Sequence, residues 1–170
     1  MFAAPASGQS AAEEPNAALD FLIGEWDVDR VYRPGSAEER RVAGQLSCAR
    51  AIYDAFVRCV YDLDRPDRGP AQEVVYFNHN AIYGTYENIW LSSSWPIKVI
   101  MAGSLNSEER SMASEAQFMI EEGRTESVRS SHRWTDDSIA YRVDIRTSED
   151  PEGEWTYHME EVARRVSTDQ

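Results

Sequence analysis

His132 is the residue of this chain best placed to do chemistry. It lies where Val128, Ser130, His132 and Trp134 alternate with Arg129, Ser131 and Arg133. After Thr135-Asp136-Asp137-Ser138 a second alternating set follows, Ile139, Tyr141, Val143 and Ile145 against Ala140, Arg142, Asp144 and Arg146. Strict alternation is the mark of a half-buried strand. Closing the turn pairs Trp134 with Ile139, His132 with Tyr141, Ser130 with Val143 and Val128 with Ile145. Every apolar position then falls on one face, the test a correct register must pass. An inward imidazole opposite a phenol can serve as an acid/base pair, and an imidazole can also hold a metal or haem. The structural alternative is a core histidine hydrogen-bonded to Tyr141 or to a serine.

The same pairing extends across the turn-rich stretch 147–154, with its Asp150-Pro151 and Gly153. It places Trp155 by Ile145, Tyr157 by Val143 and Met159 by Tyr141, so these three face inward and His158 faces outward. Glu161 alternates inward as well, where an arginine partner would make it part of the barrel's closure. Upstream, Tyr76 to Trp90 is dense in aromatic and amide side chains, the mixture a ligand mouth needs. Both faces of these strands carry apolar residues. Tyr86, Asn88 and Trp90 are taken as the inward set, and the alternative is a two-sided hairpin packed on a partner subunit in a homodimer. Trp95-Pro96 follows Ser92-Ser93-Ser94 in a loop that either lids this end or connects strands. The pairs Glu121-Glu122 and Asp136-Asp137 fall at turns and read as solvated charge.

These side chains need a scaffold, and the rest of the chain describes one. The 170 residues, 42% hydrophobic, suit one domain. A formal charge of −13 with scattered basic residues argues against nucleic acid as a partner. No apolar run is long enough to span a membrane as a helix. There is no Gly-rich phosphate loop, no His-Glu-x-x-His, no Cys-x-x-Cys and no Gly-x-Ser-x-Gly, and the spacing of the cysteines gives no metal site. Further strands are expected at Trp26–Tyr32, Arg41–Ala51, Phe56–Leu63, Gln72–Asn78, Thr85–Ser92, Ile97–Ser104 and Ser111–Ile120. The fold class is therefore all-β: an up-and-down antiparallel β-barrel of about ten strands, spanning 19–166, which leaves no exposed sheet edge and encloses a cavity.

Cys48 and Cys59 flank a turn at Tyr53-Asp54. A two-residue loop there pairs 52 with 55, 50 with 57 and 48 with 59, which allows a cross-strand disulfide. A bulge would shift the register by one, and two free thiols would pack as small hydrophobes. Residues 1–18 and 167–170 read as tails. Phe2 to Asn16 is small, polar and aperiodic, and Phe-Ala-Ala-Pro-Ala-Ser has the look either of a secretory signal's cleavage zone or of an ordinary flexible terminus. The former, with a disulfide, would place the protein in the periplasm or outside the cell; otherwise it is cytoplasmic.

The run Asp20-Phe21-Leu22-Ile23-Gly24-Glu25-Trp26 resembles the opening of calycin, or lipocalin-like, barrels. With Tyr86-x-x-x-Trp90 and a terminal arginine, it is similar in particular to a bacterial lipocalin-like family of unknown function. The resemblance implies that Trp26 closes one end of the barrel, with Arg164 or Arg165 packed over it. That family often has Leu-Asp-Gly at its central hairpin, where this chain has Tyr53-Asp54-Ala55. A related calycin group, the nitrobindin-like haem proteins, uses a histidine on a late strand as iron ligand. His158 is the candidate by position, but it points outward in this register, and the glycine-rich first-strand motif is broken by Asp27-Val28.

Three functions follow from these readings. The first is binding of a small apolar or amphipathic molecule in the cavity, lined by Tyr86, Asn88, Trp90, Trp134, Trp155, Tyr157 and Met159, with no cofactor. The second is an enzyme of cyclase or isomerase type using His132 and Tyr141, and the third a haem protein. Exposed aromatics around Trp95 would instead suit a protein-interaction domain.

Overall fold

The computed structural model describes residues 15–66, 68–122, 124–147 and 153–167. Residues 1–14, which hold most of the expected tail, lie outside them. Ordered structure begins earlier than expected, at a 3-10 helix over Pro15–Leu22. Ten strands follow: β1 (Gly24–Tyr32), β2 (Arg40–Ala51), β3 (Phe56–Asp64), β4 (Ala71–Asn80), β5 (Thr85–Ser92), β6 (Trp95–Asn106), β7 (Ser111–Glu121), β8 (Arg124–Trp134), β9 (Ser138–Thr147) and β10 (Thr156–Arg165). Each pairs antiparallel with its neighbour, and β10 pairs with β1 to close the barrel. Closure leaves every strand with two partners, so no backbone edge is open.

Period-2 alternation divides the strands into an inner and an outer face. Trp26, Val28 and Arg30 of β1 face inward, as do Val57, Cys59, Tyr61 and Leu63 of β3 and Val128, Ser130 and His132 of β8. The β8–β9 pairing sets Trp134 against Ile139, His132 against Tyr141 and Ser130 against Val143, matching the alternation. The β2–β3 hairpin sets Cys48 against Cys59, and the two form a buried disulfide. Its turn has positive φ at Ile52, Tyr53 and Asp54, and Ala55 N–H donates to the Ile52 carbonyl at 3.1 Å. The strands pair up to Ala51 and Phe56, so the loop spans 52–55 and is not the expected two-residue turn, but the sum of paired positions, and with it the cysteine register, is the same. Asp54 thus holds the left-handed conformation without the glycine of the related hairpins.

The last strand departs from simple alternation. A bulge between Tyr157 and Met159 shifts the β9–β10 register, so that Thr156 lies by Ile145, Met159 by Val143 and Glu161 by Tyr141. An extra residue in one strand rotates all that precedes it. The expected pairing of Trp155 with Ile145 and Tyr157 with Val143 is therefore replaced. Trp155 and Tyr157 lie on the outer face, under the guanidiniums of Arg129, Arg146 and Arg142. Arg142 sits 4.0 Å from the Tyr157 ring centroid, and the Tyr157 hydroxyl donates to Glu160.

The two ends of the barrel differ. At one, the helix lays Leu19 and Leu22 against Trp26, all buried, within a core cluster that includes Leu46, Val57, Phe77, Met112 and Ile139. Trp26 Nε1–H donates to the Leu22 carbonyl at 2.9 Å, and Arg165 lies 4.0 Å above the indole. Arg165 also donates to the Ile23 and Asp136 carbonyls. Gly24 explains the Gly-x-Trp pattern: its φ is +137°, and a Cβ there would stand 2.5 Å from the Arg165 guanidinium. Arg164 takes no part in this closure; it points outward to Asp29 at 2.5 Å. The opposite end has no such plug among the described residues.

Candidate functional site

A cavity of about 360 Å³ opens at the end away from the helix. Its walls combine Val75, Phe77, Trp90, Val99, Met101, Phe118, Val128, Val143, Ile145 and Met159. Val99, Met101 and Val128 form a second, smaller core cluster against Trp90, Phe118, Val143 and Ile145. Trp95 stands at the mouth, its ring 5.9 Å from Trp90 and 5.7 Å from Phe118. Expected in a loop, Trp95 instead opens β6 and is part of the cavity rim, not a free aromatic on the surface.

Alternation on β1 and β4 delivers charge into this interior. Arg30 is 3% exposed and donates to Glu161 at 2.6 Å, to Glu73 at 2.8 Å and to the Tyr32 hydroxyl at 3.0 Å. Its guanidinium also lies 4.9 Å from the Tyr61 ring centroid. Trp90 Nε1–H donates to Glu73 at 3.3 Å. Burial pulls the Arg30 pKa down, but Glu161 and Glu73 together more than reverse this and hold it above its ordinary value. Glu161 therefore has an arginine partner, though it is Arg30 across the interior and not Arg164 or Arg165. Every charge here has a hydrogen-bonded counterpart, the condition under which buried ions are tolerated.

A second polar row crosses the cavity from β5 to β8. Asn88 Nδ2–H donates to Ser114 Oγ at 3.1 Å, and Ser114 and Ser130 share a hydrogen bond of 2.8 Å. Next to Ser130 on the same face, His132 stacks on Tyr141 with centroids 4.3 Å apart and planes 21° from parallel, while Phe77 meets its ring edge-on. His132 is thus held by stacking and not by the hydrogen bond that a core histidine would be expected to make. Burial lowers its pKa to about 4, so it is neutral at pH 7, and burial foremost raises that of Tyr141. Two atoms on the cavity wall have no hydrogen-bond partner, Asn88 Oδ1 and His132 Nδ1, on residues 1% and 5% exposed. Buried polar atoms are nearly always paired, and the other unpartnered ones, Asn78 Oδ1, Thr85 Oγ1 and Arg146 Nε, lie away from the cavity lining.

The remaining sequence candidates fall elsewhere. Asn88, Trp90 and Met159 line the cavity. Tyr86, on the same row as Asn88, sits at the helix end and donates to the Pro15 carbonyl at 3.0 Å. Trp134 is also at that end, stacked on Phe21 at 3.8 Å. Trp155 and Tyr157 are outside, as described above. His158, expected to point outward, is turned by the bulge to the cavity mouth, where its ring is edge-on to Tyr32 at 6.1 Å. Burial lowers its pKa, helped by Arg33 and Arg40.

The residues missed by sequence reasoning are Arg30, Glu73 and Tyr61. Arg30 was legible, since it follows Trp26 and Val28 at period 2. Glu73 was masked by Val74 and Tyr76, which make the outer face of β4 as apolar as the inner. That outer face continues into Ile89, Leu91 and Ile100 on β5 and β6, paired in register.

The Gly24-Glu25-Trp26 opening, the closed ten-strand barrel and Arg165 over Trp26 agree with the lipocalin-like resemblance read in the sequence. The chain belongs to the DUF1579 family. The family model, described as a protein of unknown function, matches residues 11–165. No curated protein matches the chain in sequence. Among solved structures, it is similar to Rv2717c from M. tuberculosis, with 16% identity, a TM-score of 0.66 and coverage of 91% of this chain and 99% of that one. It is also similar to the S-type phycobiliprotein lyase CPES from Guillardia theta, with 10% identity, a TM-score of 0.59 and coverage of 88% and 91%. These likenesses establish the calycin-type fold.

The fold also raises haem. Iron needs an imidazole nitrogen free to coordinate and an apolar slot for the macrocycle. His158 packs against Tyr32 near Arg33 and Arg40, and although His132 Nδ1 is unpartnered, the buried charges of Arg30 and Glu73 on the cavity lining leave no wholly apolar slot for a macrocycle. The residues present do not fit the group, and nothing below passes through it. Among the described residues no three His, Cys, Asp or Glu side chains gather as a metal site, and no helix is long and apolar enough to cross a membrane.

Proposed function

We propose that the barrel binds a small apolar or amphipathic molecule in its open-end cavity. The observation that carries this is the pair of unpartnered buried atoms, Asn88 Oδ1 and His132 Nδ1, on the wall of a cavity whose other lining is largely apolar away from its paired interior charges and its basic rim. A volume of about 360 Å³ is at the small end of ligand pockets, which are typically apolar with a few orienting polar groups. Asn88 gives one Nδ2–H to Ser114, and its unpartnered Oδ1 is an acceptor, so the bound molecule donates to it, as a hydroxyl or amide does. The reading needs no cofactor. The Cys48–Cys59 disulfide supports an oxidising compartment, the periplasm or the exterior.

The competing reading is an enzyme in which His132 and Tyr141 exchange protons with the bound molecule. Their stacked arrangement favours binding, because a proton relay needs them hydrogen-bonded and a histidine with a pKa near 4 is a weak base at neutral pH. Titration of tryptophan fluorescence with dodecanol and with dodecanoate tests the binding reading, since Trp90 and Trp95 border the cavity. Saturable quenching by either is expected, and no response to both would refute it. A weaker response to 12-hydroxydodecanoate, but not to dodecanoate, in Asn88→Leu with unchanged melting would tie the site to the polar row.

A further inference from the structure

The rim of the cavity has a charge opposite to that of the molecule. The chain carries a formal net charge of −13, yet Arg40, Arg41, Arg65 and Arg68 all border the mouth, with Glu126 the carboxylate among its rim residues. Arg41 is paired with Glu39 at 2.9 Å. Arg40 and Arg65 have no carboxylate partner among the described residues. Arg40 lies 5.7 Å from the Tyr32 ring centroid. Arg65 is held half-buried by hydrogen bonds to the Gly69 carbonyl at 3.2 Å and to Ser94 Oγ at 2.6 Å. A guanidinium oriented by neutral partners keeps its charge available to something else. Deeper in, one guanidinium faces two carboxylates, Glu73 and Glu161. The potential therefore runs from positive at the rim toward negative inside, and a molecule with one anionic end enters with that end outermost.

From this we infer that the ligand is an amphipathic anion, a carboxylate or similar headgroup held at the rim by Arg40 and Arg65 with a mainly apolar body inside that carries a hydroxyl or amide donor toward Asn88. The inference rests on the cavity being a binding site. Such a headgroup accepts charge-assisted hydrogen bonds from both arginines, and a guanidinium can engage a carboxylate through two of its N–H groups.

The test is the ratio of affinities for dodecanoate and dodecanol, which differ only in the headgroup. Dodecanoate should bind about tenfold tighter, a preference of the size expected for two partly exposed guanidiniums. The ratio should fall toward one in R40Q/R65Q and, in the native protein, with rising salt. Equal affinities in the native protein, or a preference that survives both the double substitution and salt, would overturn the inference. Failure of both compounds to bind would overturn the cavity reading itself. The source of the anion is decided by sedimentation with vesicles of anionic phospholipid: a free amphiphile leaves the protein in solution, whereas co-sedimentation abolished by R40Q/R65Q would make the rim a lipid-surface contact and overturn the inference of an enclosed ligand.

Discussion

The two ends of this barrel are built from the same strands and reach opposite outcomes. At the helix end Trp26, Leu19, Val57 and Met112 are wholly or almost wholly buried, and the Trp26 indole and the Arg165 guanidinium both have hydrogen-bond partners; the unpartnered atoms there, Asn78 Oδ1 and Thr85 Oγ1, belong to half-buried residues. At the other end the apolar cluster is small, the cavity is open, and the unpartnered atoms belong to the deeply buried Asn88 and His132. The first arrangement maximises stability, the second gives some of it up. Incomplete packing and deeply buried unpaired groups are common where something else binds, and the proposed division of labour, stability at one end and recognition at the other, rests on that difference.

If that division is right, substitutions at the helix end reduce stability and leave ligand affinity to the folded fraction unchanged. Trp26→Ala removes a fully buried indole and should lower unfolding free energy by about 3–5 kcal/mol. Chemical denaturation measures it, and a loss below about 1 kcal/mol would mean that the plug is not what holds the barrel. At the open end, His132 should make stability depend on pH. Its folded pKa near 4 lies below the ordinary value of 6.5. The unfolded chain then binds the proton more readily between those values, so stability is full above about pH 6.5 and falls as the pH drops toward 4, by about 3 kcal/mol in all. His132→Phe should flatten that part of the profile, and an unchanged profile would show that His132 is not buried and neutral.

Breaking the disulfide comes next. Reduction, or Cys48→Ala with Cys59→Ala, should cost about 2–3 kcal/mol for a short closed loop. The two terminal arginines give the smallest and sharpest contrast. Arg165→Ala loses its stacking on Trp26 and its bonds to two carbonyls and should cost about 1–2 kcal/mol. Arg164→Ala loses one exposed ion pair and should cost under about 0.5 kcal/mol. Equal effects would undo the assignment of Arg165 to closure.

The same division explains what was legible in the sequence. Alternation reports which residues face inward, and it placed the strands, the His132–Tyr141 pair and the cysteine register because each rests on hairpins with short, definite turns. It could not report the bulge at Tyr157 and Met159, since nothing in Trp-Thr-Tyr-His-Met distinguishes one extra residue from none. That single residue moved Trp155 and Tyr157 out and His158 to the mouth. Nor does facing inward say which end a side chain occupies. Tyr86 and Trp134 lie on inward rows but at the plugged end, and separating them from Asn88 and His132 requires the register of the whole barrel. The ion cluster was obscured for another reason: Arg30, Glu73 and Glu161 sit on three strands far apart in sequence and meet only when β10 closes on β1 and the interior forms.

The most direct test of the central claim is to follow the tryptophan indole N–H resonances by NMR while dodecanoate is added. The account predicts saturable shifts at Trp90 and Trp95, which border the cavity, with Trp26 and Trp134 unmoved. Shifts centred on Trp26 and Trp134, or no saturable shift at all, would contradict it.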